Sequence, residues 1–83
     1  MQIFIGMLLK KRILSEKIIS EYQSSNIIGS EYYPLTKKLI VEFKGGRKYQ
    51  YDDVPLSIYL DFEIATSQGN YIQKLKKYNP KKV

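Results

Sequence analysis

Apolar and polar residues alternate most cleanly over 38–44, where Leu39, Val41 and Phe43 fall on one side and Ile40, Glu42 and Lys44 on the other. A period of two predicts a strand. Residues 47–52 repeat it, with Tyr49 and Tyr51 alternating against Lys48 and Gln50. Gly45-Gly46 between them supplies the positive φ that a tight hairpin needs. Upstream, the turn formers Ser24-Ser25-Asn26 precede a further strand over 26–33, with Ile27 and Ile28 as its apolar residues, and Pro34-Leu35-Thr36 makes the next turn. Connections this short predict an antiparallel three-stranded meander.

The period lengthens after residue 52. Val54-Pro55 opens a helix over 56–65, since proline suits a first helical turn, and Asp52-Asp53 would sit near the positive end of its dipole. Thr66-Ser67-Gln68-Gly69 stops it. A second helix over 70–78 places Tyr71, Ile72, Leu75 and Tyr78 for burial, and Asn79-Pro80 ends it. Ahead of the strands, Leu14, Ile18, Ile19 and Tyr22 recur at helical spacing with Glu16, Lys17 and Glu21 opposite, which predicts a helix after a strand or disordered tail reaching to about residue 8. The expected fold class is α+β: a three-stranded antiparallel β-meander packed by two C-terminal helices, with an N-terminal helical extension. The expected organisation is an extension over 1–23, a domain over 24–79 and a basic tail over 80–83.

Eighty-three residues make one small domain. A domain near this size buries only ~60% of its unfolded surface and gains from oligomerisation. The chain has no cysteine and no histidine. That excludes disulfides, zinc sites with nitrogen or sulfur ligands, and Cys–His or Ser–His nucleophile pairs. The apolar opening of the chain has no basic region ahead of it and is too short to span a bilayer, so a cytoplasmic protein without a membrane partner is expected. A net charge of +6 favours anionic partners such as nucleotides or nucleic acid, and equally serves solubility.

Candidate chemistry concentrates at Ser67-Gln68-Gly69-Asn70-Tyr71. Serine and glycine ahead of a helix leave backbone N–H groups aimed outward, which suits an anion. Lys74 lies one turn further on, and Tyr71 is placed to stack on a base or to pack in the core. Helix capping by Ser67 or Asn70, with a glycine required by the turn, accounts for the same residues. The spacing is not that of a phosphate loop. Tyr49 and Tyr51 share a face with Arg47, an arrangement that can stack bases and hold phosphate; cross-strand packing against Leu39, Val41 and Phe43 explains these tyrosines as well. Ser25 and Asn26 offer short donors to a ligand edge, or form an ordinary turn. Lysines at 74, 76, 77, 81 and 82 would steer a phosphate or simply face solvent. Asp52, Asp53, Asp61 and Glu63 have no accompanying nucleophile or ligand set, so no catalytic residue, metal or cofactor is expected.

Taken in order, Ser25, Ile27, Tyr32, Leu39, Val41, Phe43, Gly46, Tyr49, Tyr51, Val54-Pro55, Tyr59, Ala65, Ser67, Gly69, Tyr71 and Tyr78 resemble the pattern of the KTSC domain family, short modules of phage and bacterial genomes that are also appended to some lysyl-tRNA synthetases. The resemblance covers about residues 24–78. Tyr33 stands where the family often has aspartate, and Ile72-Gln73 where it often has Phe-Asn. The family brings no established enzymatic activity. Its attachment to a synthetase implies contact with nucleic acid or a nucleotide. By analogy with small phage proteins that sequester cyclic nucleotide signals of bacterial immunity, the resemblance implies a non-enzymatic sponge. Its ligand would be a small anionic nucleotide held between copies of a homo-oligomer, a dimer or tetramer, with Ser25, Asn26, Arg47, Tyr51, Ser67, Gly69, Tyr71 and Lys74 as ligand contacts. An RNA or single-strand binder and a protein inhibitor of a host factor are the alternatives.

Overall fold

The structure is a computed structural model that describes residues 6–83. It is α+β, and its sheet is larger than the alternation implies. Six antiparallel strands run in sequence order: β1 (Gly6–Ile13), β2 (Ile18–Ser24), β3 (Ile27–Tyr33), β4 (Lys38–Phe43), β5 (Lys48–Tyr51) and β6 (Lys81–Lys82). Helices α1 (Leu56–Glu63) and α2 (Gln68–Leu75), followed by a 3-10 turn at Lys76–Tyr78, cover one face.

The expected helix within 1–23 is a β-hairpin instead. Ile18, Ser20, Tyr22 and Ser24 alternate inward along β2, but two of these inward residues are serines, so the period of two reads as polar. A bulge between Leu8 and Lys10 shifts the phase of β1. The expected tail ahead of residue 8 falls partly on residues 1–5, outside the described residues. The basic tail is also a strand: β6 pairs with β5 after a left-handed turn at Asn79 (φ 54°), and Lys81 reaches Asp52 at 2.9 Å. Asp52 therefore fastens the sheet edge and does not start α1, whose first turn holds no acid. The three central strands and both helices lie where the pattern places them, and Gly45 and Gly46 take φ values of 94° and 88° in the β4–β5 turn.

Register explains the core. Across the helix-covered face, Ile13, Ile18, Tyr32, Leu39 and Tyr51 form one cross-strand row. The neighbouring row runs Lys11, Ser20, Ser30, Val41, Tyr49. Its polar end receives Glu63 of α1, which is 2% exposed. Ser20 Oγ donates to Glu63 Oε2 at 2.7 Å, Lys11 Nζ donates to Oε1 at 2.8 Å, and the Tyr59 hydroxyl lies 3.0 Å from Ser20 Oγ. Tyr59 also stacks on Tyr32 with centroids 4.5 Å apart, and Phe62 meets Tyr22 edge-on. A buried carboxylate demands such partners, because transfer from water without them is prohibitive.

Gln68 joins the helices. Its Nε2 donates to the carbonyls of Phe62, Glu63 and Ala65, which satisfies the end of α1. Gly29 allows β2 and β3 to approach closely: a Cβ there would stand 2.8 Å from the Ser20 carbonyl oxygen.

Two outcomes follow. Lys11→Met leaves a buried carboxylate with hydroxyl partners alone and is expected to lower stability by ~1–3 kcal/mol in urea unfolding. The Lys11→Met/Glu63→Leu double variant is expected to recover most of that loss. Burial pushes Tyr22 and Tyr51 up to about 12 and raises Tyr59 further, with the charge of Tyr22 and a hydrogen bond to Glu63 adding to the rise at Tyr59. These tyrosines ionise near pH 10 when unfolded, so the folded state binds more protons above that pH. Stability is expected to fall as pH rises from about 10 toward 12, with tyrosinate absorbance at 295 nm appearing together with loss of the fold. A smooth titration of all the tyrosines near pH 10 in an intact fold would contradict this packing.

Candidate functional site

Three polar segments meet near the start of α2. Ser67 caps the helix, its Oγ accepting from the Asn70 backbone N–H at 3.1 Å. Asn26, in the β2–β3 loop, places its Nδ2 3.5 Å from where a Cβ of Gly69 would stand. The Asn26 carbonyl in turn accepts from the Lys44 N–H at 2.8 Å, which ties this loop to the β4–β5 turn that carries Arg47. Ser24 Oγ shapes the loop by accepting from the Asn26 and Ile27 N–H groups.

On the other flank of α2, an open groove of about 480 Å³ is lined by Asp61, Ile64, Ala65, Thr66, Ser67, Asn70, Tyr71 and Lys74. Tyr71 is half-buried, its ring 6.0 Å from that of Phe62, and Lys74 Nζ stands 5.2 Å from the Tyr71 ring centroid. Burial first, and then the charge of Asp61 nearby, raises the Tyr71 hydroxyl above its ordinary pKa. Asp61 is the one acid lining this groove, so an anion is favoured at the Ser67–Lys74 end.

Of the residues singled out from sequence, Ser67, Tyr71 and Lys74 share this groove, while Gly69 and Asn26 adjoin on the opposite flank of the same helix start. Ser25 is exposed in the loop beside Asn26. Arg47 is exposed in its turn, with Nη2 3.4 Å from the Lys44 carbonyl and its guanidinium 5.8 Å from the Phe43 ring centroid. Tyr51 is 2% exposed and belongs to the core, so it is not available to a ligand; Tyr49 packs edge-on against Phe43. Asn70 lines the groove and was not singled out as a contact; its place directly after Gly69 was the available signal.

Gly69 is informative because the fold does not require it. Its φ is not positive, and a Cβ would meet only ordinary contacts at 3.5 Å and beyond. The turn-forming role expected of this glycine is therefore absent. Glycine inside a helix is less stable than alanine by ~0.5–1 kcal/mol. The space beside it is already lined by the Asn26 side chain and the Ser67 hydroxyl, so the β2–β3 loop lies against this part of the helix start.

The described residues contain cation–aromatic pairs beyond Lys74–Tyr71. Lys38 and Lys17 lie over Tyr33, Lys77 over Tyr78 and Arg47 over Phe43. Such pairs occur about once per 70–80 residues in structures generally, so this surface is rich in places where a flat anionic ring finds both stacking and charge. A second depression, about 250 Å³, lies on the uncovered sheet face above Gly29, among Ile19, Ile28 and Ile40 with Glu21, Glu31 and Glu42 around it. Its carboxylates disfavour phosphate. Burial tends to raise Glu31, but the Tyr33 hydroxyl and the Lys17 ammonium outweigh that and hold it below its ordinary value. Among the described residues, no group of three or more carboxylates is arranged to hold a metal, and no helix is long and apolar enough to cross a membrane.

Gly69→Ala is expected to raise the midpoint of thermal unfolding by a few degrees while weakening any ligand that rests against the α2 backbone. A drop in the midpoint would show that the fold itself needs this glycine.

Comparison with known proteins agrees with this architecture. The family model described as the KTSC domain matches residues 23–78. A lysine–tRNA ligase of Nostoc sp. is 36% identical over 55 residues, which are 66% of this chain and 10% of that protein. The chain thus spans about a tenth of the length of this curated relative. The crystal structure of a KTSC domain protein from Yersinia pestis superposes with a TM-score of 0.60 at 24% identity, covering 89% of this chain and 93% of that one. It shares the fold. On the extent of the family match, the chain belongs to the KTSC domain family.

Proposed function

We propose that this protein is a non-enzymatic binding module that sequesters a small phosphate-bearing nucleotide at the start of α2, with the open side of the groove closed by a second copy. The observation that carries this reading is the groove beside the start of α2, where the Ser67 cap, Asn70 and the Tyr71–Lys74 pair meet with a single acid, Asp61, among them. The exposed N–H end of the helix suits phosphate, Lys74 adds charge, and the Tyr71 ring offers a face to a base. Arg47 stands in the adjoining turn and draws the anion in.

The groove is too open to enclose a nucleotide alone. Ligand sites bury most of their ligand, so closure must come from outside the monomer. A cyclic dinucleotide has two phosphates and two bases related by a near two-fold axis, and a site built from two copies matches that symmetry. This supports the sponge role of a phage-type anti-defence protein working in the host cytoplasm.

The similarity to a lysine–tRNA ligase favours a second reading, contact with RNA, in which the scattered cation–aromatic pairs follow a strand and no second copy is needed. The two differ in salt and length dependence. Strand binding strengthens with length and falls steeply with salt, whereas a dinucleotide-sized ligand shows a shallow salt slope.

Isothermal titration calorimetry with a panel of cyclic dinucleotides, beside single-stranded RNA of 4 to 20 nucleotides taken as roughly the span of strand-binding sites, tests both. At least one cyclic dinucleotide is expected to bind below ~10 μM, about −7 kcal/mol. Tyr71→Ala and Lys74→Gln are each expected to weaken it by ~1–3 kcal/mol; Lys74→Gln leaves the thermal midpoint little changed, whereas Tyr71→Ala also lowers it because the ring packs beside Phe62. No binding by any cyclic dinucleotide at ~100 μM, with affinity for RNA that grows with length, would replace the first reading with the second.

A further inference from the structure

The helix layer leaves one apolar surface uncovered. Leu56, Leu60 and Ile64 recur every four residues along the outer side of α1 and are 47%, 38% and 78% exposed. Ile13 of β1 pairs with buried Ile18 and so faces the helix side of the sheet, yet it is 73% exposed. The ridge and the strand adjoin, since Lys11 spans the interval between them to reach Glu63. Exposed Leu9 lies on the same strand, and exposed Leu14 directly follows it.

The size and charge of this surface fit a second copy of the chain. A standard interface buries ~800 Å² per partner with a little over half of it apolar, and the exposed Leu and Ile side chains of ridge and strand supply the apolar part of such a surface. Glu63 and Lys11 are already paired within one chain, which leaves exposed Asp61 on α1, a helix with no basic residue, and exposed Lys10 and Arg12 on the edge strand β1. A copy turned about a two-fold axis brings each Asp61 toward the edge strand of the other, and each half of the contact repeats the other.

We propose that the α1 ridge and the β1 edge form a two-fold contact between copies, and that this contact sets two α2 grooves side by side. Ile64 connects the two halves of the proposal, because it ends the ridge and also lines the groove. A partner seated on the ridge therefore borders the open side of the groove. The placement of the grooves rests on the nucleotide reading; the contact itself does not.

Sedimentation velocity of the full chain without nucleotide, at concentrations on the order of those that populate weak dimers (~5–100 μM), tests the contact. The chain is expected to sediment as a dimer. Ile64→Lys and Leu60→Glu are each expected to weaken the dimer at least tenfold with the circular dichroism spectrum unchanged. Ile28→Lys, on the opposite face of the sheet, is expected to leave the dimer intact. A monomer throughout, a dimer indifferent to both α1 substitutions, or a dimer split by Ile28→Lys would each overturn the contact. A cyclic dinucleotide added at the same concentrations separates the two readings. A dimer that binds none leaves the contact standing and removes the nucleotide, whereas a dimer that binds one and is indifferent to both α1 substitutions does the reverse.

Discussion

Glu63 is the constraint around which this fold is arranged. It is a carboxylate under two helices, held by Ser20 from β2 and Lys11 from β1. Such a group is weak as a source of stability, because desolvation offsets most of the attraction, but it is strict about geometry. An apolar residue at 63 would tolerate several placements of α1 over the sheet. The carboxylate accepts one, in which the polar row Lys11–Ser20–Ser30 lies beneath it. The N-terminal hairpin, most of which lies ahead of the family-model match, is thereby tied to the helix pair that the match covers. Aromatic stacking of Tyr59 on Tyr32 and the contact of Phe62 with Tyr22 then fill the space on either side.

The position of α1 carries through to the candidate site. Gln68 clasps three carbonyls at the end of α1, so the direction in which α2 departs follows from where α1 stops. Ser67 fixes the first turn of α2 and leaves Gly69 facing Asn26. Asn26 in turn is fixed by Lys44 from the neighbouring hairpin. The result is a helix start fixed by the Gln68 side chain on one side and by the Ser67 cap on the other, with the Asn26 loop beside it. Preorganisation of this kind lowers the entropy lost when a ligand binds.

Much of this was legible in the sequence, and the parts that were not share a cause. The strands at 38–43 and 48–51 show their alternation because their inward residues are apolar or aromatic. The β1–β2 hairpin hides it, because Ser20 faces inward to meet Glu63 and Ser24 faces inward to shape the β2–β3 loop, and because a bulge breaks the phase of β1. A polar core defeats a pattern that relies on hydrophobicity. At 81–82 the strand is two residues long, too short for any periodicity. At the candidate site, Ser67, Tyr71 and Lys74 were grouped correctly by helical spacing. Tyr51 was misplaced as a contact because alternation assigns a side of the strand and does not say that helices cover it. Gly69 reads from the sequence either as a ligand contact or as a turn glycine, and its backbone geometry shows that no positive φ is required there.

A titration of the ¹⁵N-labelled protein with a cyclic dinucleotide, followed amide by amide in heteronuclear NMR spectra, addresses the account at its centre. The account expects the largest shifts at Gly69, Asn70, Tyr71, Lys74 and Asn26, with the uncovered sheet face around Glu31 and Ile40 unchanged. Shifts confined to that face, or no shift at the start of α2, would contradict it.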